Sequence, residues 1–250
     1  MRLANALRNL VTDVRTIATG QGANLRISAR RADPQFALGT YEPALQEAIV
    51  EHLSAGDVFY DIGANIGFFC LIAARKVGER GQVYSFEPVP TNAAAITRGA
   101  RLNGFEQIDV FCEAVAARSR TGELCLARHI GGATLDSAGV PPDLRGRISV
   151  DVVAIDEITA PRGLRPPNLV KVDVEGAELE VLQGMSTTLR THRPVVIYEV
   201  DDANEAGVKH KLEKIAAFIK RFDYSLTALP TAYPEMDWHV VHILARPSVG

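Results

Sequence analysis

The sequence predicts an α/β fold: a Rossmann-like, doubly wound, mainly parallel seven-stranded sheet with helices on both faces and a β-hairpin or loop insertion. Three observations predict it. Short apolar runs rich in β-branched and aromatic residues alternate with helical stretches, as strands joined by crossover helices do. One run, Val58 to Ile62, leads into a glycine turn, Gly63-Ala64-Asn65-Ile66-Gly67, and then into an apolar helix. Acids stand at or near the ends of successive runs, at Asp61, Glu87, Glu113, Asp173 and Glu199. Ligands of such sheets sit at the carboxyl ends of the strands.

Composition narrows the class. The chain has 250 residues, 47% of them hydrophobic, enough for a large core. That length suits one compact domain, with residues 1–56 as a prelude packed on a core of residues 57–250. A formal net charge of −3 offers no broad basic footprint, so no nucleic-acid partner is expected. No apolar run approaches the ~20 residues of a membrane span. The first ten residues are basic and mixed, unlike a secretory signal. Cys70, Cys112 and Cys125 are odd in number and scattered, reading as reduced, mostly packed thiols of a cytoplasmic protein.

Taken in order, Leu3, Leu7, Leu10, Val14 and Ile17 have helical spacing, predicting an amphipathic helix over about residues 1–19. It either caps the core or meets a second subunit, which makes a homo-oligomer one expected assembly. Leu25 to Ser28 and Phe36 to Leu38 read as short strands. Pro43 starts a helix to about Leu53. Val58 to Ile62 is the first core strand, buried on both faces, and its helix continues to about Val77. Gly81 to Phe86 is the second strand. Thr91 caps a helix that ends at Asn103-Gly104. Ile108 to Glu113 is the third strand. Gly122 to Leu126 and Ile148 to Val153 then alternate like an antiparallel pair. The long loop between them, Arg128 to Arg147, reads as a substrate-facing lid. Asn168 to Val172 is the fourth strand, and Glu175-Gly176 opens a helix through Leu182. Val195 to Tyr198, ending at Glu199, is the fifth strand. A helix from Val208 to Arg221 and strands at Tyr224 to Leu229 and Val240 to Leu244 close the sheet.

The glycine turn narrows the ligand. A strand-to-helix turn presents backbone N–H groups and a positive helix end. A nicotinamide fingerprint needs G-x-G-x-x-G, and a phosphate loop needs G-x-x-x-x-G-K-[ST]. Gly63 and Gly67 supply neither, and no Lys follows. Asp61 opposes a pyrophosphate but suits an ammonium group. Glu87, closing the second strand, suits a pair of ribose hydroxyls. S-adenosylmethionine carries an ammonium, a carboxylate, a sulfonium and a ribose, and no phosphate. It is the expected cofactor, with Gly63, Ala64, Asn65 and Gly67 as its cradle and Glu113 or the Ala114 amide at the adenine edge.

Three blocks carry a resemblance. Asp61-Ile62-Gly63-Ala64-Asn65-Ile66-Gly67, Phe86-Glu87-Pro88 and Val170-Lys171-Val172-Asp173-Val174-Glu175-Gly176-Ala177-Glu178 resemble the signature blocks of FkbM-type methyltransferases, over about Tyr41 to Val200. The resemblance implies a class I S-adenosylmethionine-dependent methyltransferase, of a family that mostly methylates hydroxyl groups. It adds Pro88 to the cofactor set. It also adds Glu42, because similar Tyr-Glu-Pro stretches precede the glycine turn in that family.

Asp173, Glu175 and Glu199 are left for the acceptor. Methyl transfer to an alcohol requires positioning and removal of the hydroxyl proton. Two mechanisms fit. In one, Asp173 or Glu175 is the general base. In the other, Asp173 and Glu199 hold Mg²⁺, with help from Asp201 or Glu175, and the ion acidifies the hydroxyl. His129, in the expected lid, is an alternative base. His52, His192, His210 and His242 lie in no motif and read as structural or solvated. Lys171 is expected to pair with a nearby acid, and Glu178 to stabilise a helix N-terminus.

The expected function is an O-methyltransferase of a hydroxylated small molecule: a saccharide, a glycolipid or a natural product. Its rivals are transfer to a non-hydroxyl acceptor such as an amine, a non-catalytic cofactor-binding module, and a nicotinamide-linked oxidoreductase. The missing third glycine speaks against the last.

Overall fold

The computed structural model describes residues 14–29, 33–127, 132–141, 143–231 and 239–248. Two short strands come first, β1 (Val14–Thr16) and β2 (Arg26–Ser28), paired antiparallel. Helices α1 (Pro34–Leu38) and α2 (Pro43–His52) follow. The core then reads β3 (Val58–Ile62), α3 (Phe68–Val77), β4 (Gln82–Phe86), α4 (Pro90–Asn103) and β5 (Ile108–Phe111). An insertion holds β6 (Ala114–Val115), β7 (Arg120–Ala127), β8 (Ala133–Leu135) and β9 (Leu144–Val153). The chain continues through α5 (Ile155–Ile158), β10 (Leu169–Val172), α6 (Glu178–Gln183) and α7 (Ser186–Thr191). It closes with β11 (Val195–Asp202), α8 (Glu205–Ile219), β12 (Tyr224–Ala228) and β13 (His239–Pro247).

The main sheet has seven strands in the order β12-β13-β11-β10-β3-β4-β5. From β11 to β5 every neighbouring pair is parallel, and β13 runs antiparallel to both β11 and β12. All five residues of β3 and all four of β10 are buried, as strands covered on both faces must be. Successive side chains of a strand point to opposite faces. Phe59 therefore joins Leu71, Ile72 and Ile96 in one apolar layer, while Tyr60 joins Val181, Leu182 and Ile215 in the other. Ile17, Ile27, Phe36 and Ile49 also belong to the first layer. The order of the sheet reverses between β3 and β10, so the crevice for a ligand opens at their carboxyl ends.

Several local expectations are corrected. Residues 1–13, most of the expected first helix, lie outside the described residues. Residues 14–16 are a strand, because Val14 to Thr16 pair with Arg26 to Ser28. Phe36 to Leu38 lie in a helix, since the Asp33 side chain caps Gln35 N–H, Pro34 opens the first turn and Gly39 (φ 82°) closes the last. The helix expected to be capped by Thr91 starts at Pro90, with Val89 as its cap. The expected lid contains strands among the described residues: β8 pairs with β7, and β9 begins at Leu144. The insertion is a four-stranded sheet in the order β6-β9-β7-β8, with Leu124, Leu135 and Val152 in its own small core.

Candidate active site

The turn after β3 builds the floor of the site. Gly63 has φ 78°, and a Cβ there would run into the carbonyl oxygen of Asp173. Asn65 has φ 51°, a conformation Asn tolerates better than most residues. The amides of this turn were expected to face a ligand, but they are engaged internally. Gly63 and Ala64 N–H both donate to Phe86 O (3.0 and 3.2 Å), and Gly67 N–H donates to Ala64 O (2.8 Å). Asn65 N–H donates to Glu87 Oε2 at 2.8 Å.

Glu87 directly follows β4 and is 5% exposed. Its Oε1 accepts from Val89 N–H at 2.9 Å. Burial pushes its carboxyl up to about 7, although these hydrogen bonds pull the other way. Glu113, just past β5, accepts both arms of the Arg162 guanidinium at 2.7 and 2.8 Å.

Lys171 anchors the reversal point. It is the register partner of Asp61 across β10 and β3. Its Nζ lies 3.4 Å from Asp61 Oδ1 and 3.1 Å from Asp173 Oδ2, and donates to Gly63 O at 3.2 Å. The expected pairing of Lys171 with a nearby acid is present twice over. Burial alone would lower the Lys171 ammonium, but the Asp173 and Asp61 carboxylates outweigh it and hold it above its ordinary value. Cys70 S–H donates to Asp61 Oδ2 at 3.0 Å.

Asp173 follows β10 directly. The helix expected to open at Glu175-Gly176 begins instead at Glu178. Glu175 and Gly176 take left-handed conformations (φ 55° and 101°), and Glu178 Oε1 accepts the N–H groups of Val174 and Gly176. Burial pushes the Glu178 carboxyl up to about 7. Burial, then the charges of Asp173, Asp201, Glu199 and Glu178, push that of Glu175 well above its usual range.

Glu199 was expected where its strand ends, yet β11 runs on to Asp202 because β13 pairs with it along that length. Glu199 faces His242 in this register. His242 Nε2 lies 2.8 Å from Glu199 Oε2 and 3.4 Å from Glu42 Oε2. Burial would lower the imidazole, but Glu199 and Glu42 lift it to about 10. Burial and the Asp173 charge raise Glu199. Of the expected metal pair, Asp173 engages Lys171 and Glu199 engages His242. Among the described residues, the group spaced to hold a cation is Glu42, Glu199 and His242.

A cavity of about 130 Å³ lies over these residues. Of the expected site residues, Gly63, Asn65, Glu87, Pro88, Glu113, Ala114, Asp173, Glu175 and Glu199 line it, beside Tyr41 and Phe86. Leu124, Ala133 and Leu135 of the insertion form its far wall. Ala64 lines a smaller adjoining hollow with Lys171. Glu42, Asp61 and Gly67 line neither. Asp61 stays back because it shares the strand face of Phe59, two residues earlier, which packs toward α3. His129 lies outside the described residues. His242 and the centrality of Lys171 are not evident from any motif. Each is a polar residue inside a run of otherwise apolar ones, Leu169–Val172 and Val240 to Leu244, and that interruption was the available signal.

Comparison with known proteins gives the following. The profile of the Methyltransferase FkbM domain matches residues 61–226. The chain is 29% identical over 150 residues to the hexuronic acid methyltransferase AglP of Haloferax volcanii, covering 60% of this chain and 58% of that one. It is 29% identical over 203 residues to the 31-O-demethyl-FK506 methyltransferase FkbM of Streptomyces tacrolimicus, covering 70% and 75%. A solved methyltransferase FkbM from Methylobacillus flagellatus superposes with a TM-score of 0.52 at 19% identity, over 77% of this chain and 44% of that one.

Proposed function

The chain belongs to the methyltransferase FkbM family and is a methyltransferase; from that premise we propose that it is an S-adenosylmethionine-dependent O-methyltransferase. Its acceptor is a hydroxylated small molecule of the saccharide or natural-product kind. The names of two relatives support this reading: one is a hexuronic acid methyltransferase, the other acts on a 31-O-demethyl compound. The carrying observation is the cavity itself, which gathers carboxylates from the ends of adjacent strands and has no basic side chain among its described lining residues.

The donor set fits the cofactor. Carboxylates beside apolar walls suit a cationic ligand bearing hydroxyls and disfavour a polyphosphate. The turn amides that would bind phosphate are already engaged, those of Gly63, Ala64 and Asn65 by Phe86 and Glu87 and that of Gly67 within the turn. Bound there, S-adenosylmethionine supplies the methyl group. Glu87 is assigned to the ribose hydroxyls, Gly63, Asn65 and Pro88 to the cradle, and Glu113 and Ala114 to the adenine edge. Asp61 acts through Lys171, holding the turn in place. Asp173 is assigned as the base that takes the acceptor hydroxyl proton, because Lys171 fixes one of its oxygens while the side chain remains 23% exposed to the cavity. Glu175 binds acceptor hydroxyls beside it. The test is a panel of hydroxylated and amine acceptors with labelled cofactor. Methylation of the amines alone would refute the O-methyl assignment.

A further inference from the structure

Three side chains from distant parts of the chain meet at the edge of this cavity: Glu42 at the start of α2, Glu199 in β11 and His242 in β13. We propose that they form a binding site for a first-row divalent cation of the Mn²⁺, Fe²⁺ or Zn²⁺ kind.

The geometry carries the inference. One donor atom from each residue lies within 4.8 Å of the other two. Two edges, 2.8 and 3.4 Å from His242 Nε2 to the two carboxylates, bracket the roughly 3.0 Å between adjacent ligands of an ion with bonds of about 2.1 Å. A second observation concerns burial. Glu42 and His242 are 2% and 5% exposed, and carboxylates from two separate elements converge on one imidazole nitrogen that is sealed from solvent. Charge points the same way. Glu42, Asp173, Glu175, Glu199 and Asp201 bear on one another electrostatically, and with His242 ligating as the neutral imidazole Lys171 is the side chain that opposes them. Buried and half-buried carboxylates in such excess favour a cation.

The ligand set selects the ion class. One imidazole and two carboxylates favour borderline first-row cations over Mg²⁺ or Ca²⁺, which prefer oxygen alone. Three protein ligands leave coordination positions open, and Glu199 also lines the cavity. Cation binding needs neither cofactor nor acceptor, so its outcome is separate from that of the methyl-transfer reading.

The test uses the full, untagged chain, stripped with chelator and titrated with Mn²⁺. Electron paramagnetic resonance counts bound ions, and pulsed measurements detect a coordinated nitrogen. The expected result is one Mn²⁺ per chain with nitrogen coupling. His242→Gln abolishes that coupling, and Glu199→Gln weakens binding by about tenfold or more. Absence of binding at millimolar Mn²⁺ overturns the proposal, as does binding without nitrogen coupling or with coupling retained in His242→Gln. Should His242→Gln fail to fold by circular dichroism, Glu42→Gln decides: at least tenfold weaker binding supports the site, and unchanged affinity overturns it.

Discussion

Lys171 and Asp61 face each other across the reversal point of the sheet, Nζ to Oδ1 3.4 Å apart, with side chains 3% and 0% exposed. Removing one partner of a buried pair strands the other charge, which costs roughly 3–5 kcal/mol. Lys171→Met is expected to lower stability by that amount in urea unfolding. The double variant Lys171→Met with Asp61→Asn recovers part of the loss, because the buried Asp61 charge is then no longer stranded, while the partly exposed Asp173 still lacks its partner. A cost near zero for Lys171→Met alone would show that the pair does not hold the turn.

Glu87 gives a pH prediction. Its carboxyl is lifted from 4.5 to about 7 in the folded chain, so the folded state holds the proton more tightly than the unfolded one. Its contribution to the stability of the free protein is therefore present below about 4.5 and lost as pH rises toward 7. Ribose hydroxyls need the ionised form. Cofactor affinity is expected to rise about tenfold per pH unit below about 7 and to level off above it. Glu87→Gln flattens that profile and lowers the plateau affinity by roughly 1.5–3 kcal/mol. Calorimetric titration across pH checks it, and superimposable profiles for the two proteins would remove Glu87 from the ribose.

Gly63 is expected to tolerate no side chain. Its φ of 78° and the Asp173 carbonyl in the path of a Cβ both forbid one. Gly63→Ala should yield insoluble protein, or protein whose melting temperature falls by many degrees. A soluble variant with unchanged melting would show that the turn can open.

Gly56 serves as a control. It also has a positive φ, 94°, but a Cβ there meets nothing within 4 Å. Gly56→Ala should cost only the conformational strain, about 1 kcal/mol, read as a small shift in the urea midpoint. A loss as large as that of Gly63→Ala would mean that backbone conformation alone, and not the Asp173 contact, explains the sensitivity of Gly63.

Local pattern carried most of the fold. The alternation of apolar runs and helices predicts the seven-stranded sheet, and the acids near the run ends predict where the cavity opens. Glu87, Glu113, Asp173, Glu175 and Glu199 all line it. What local pattern missed depends on contacts distant in sequence. Glu42, at the residue before α2, meets His242 of β13 from the far end of the chain. Asp61 stays back because its strand face is set by Phe59. The strand at Val14 to Thr16 exists because β2 pairs with it, and a short apolar spacing does not reveal that partner. Phe36 to Leu38 form a helix and not a strand because the Asp33 cap and Pro34 outweigh a brief apolar run.

The most direct measurement is transfer of a labelled methyl group from S-adenosylmethionine to a hydroxylated acceptor by the wild-type chain and by Asp173→Asn. The wild type should methylate an oxygen of at least one saccharide or natural-product acceptor. Asp173→Asn should keep its cofactor affinity and lose roughly 10²–10⁴-fold in turnover, the contribution of a positioned base. Turnover within a fewfold of wild type at saturating acceptor would contradict Asp173 as the base. Label found on nitrogen alone, across an acceptor panel offering both atoms, would contradict O-methylation itself.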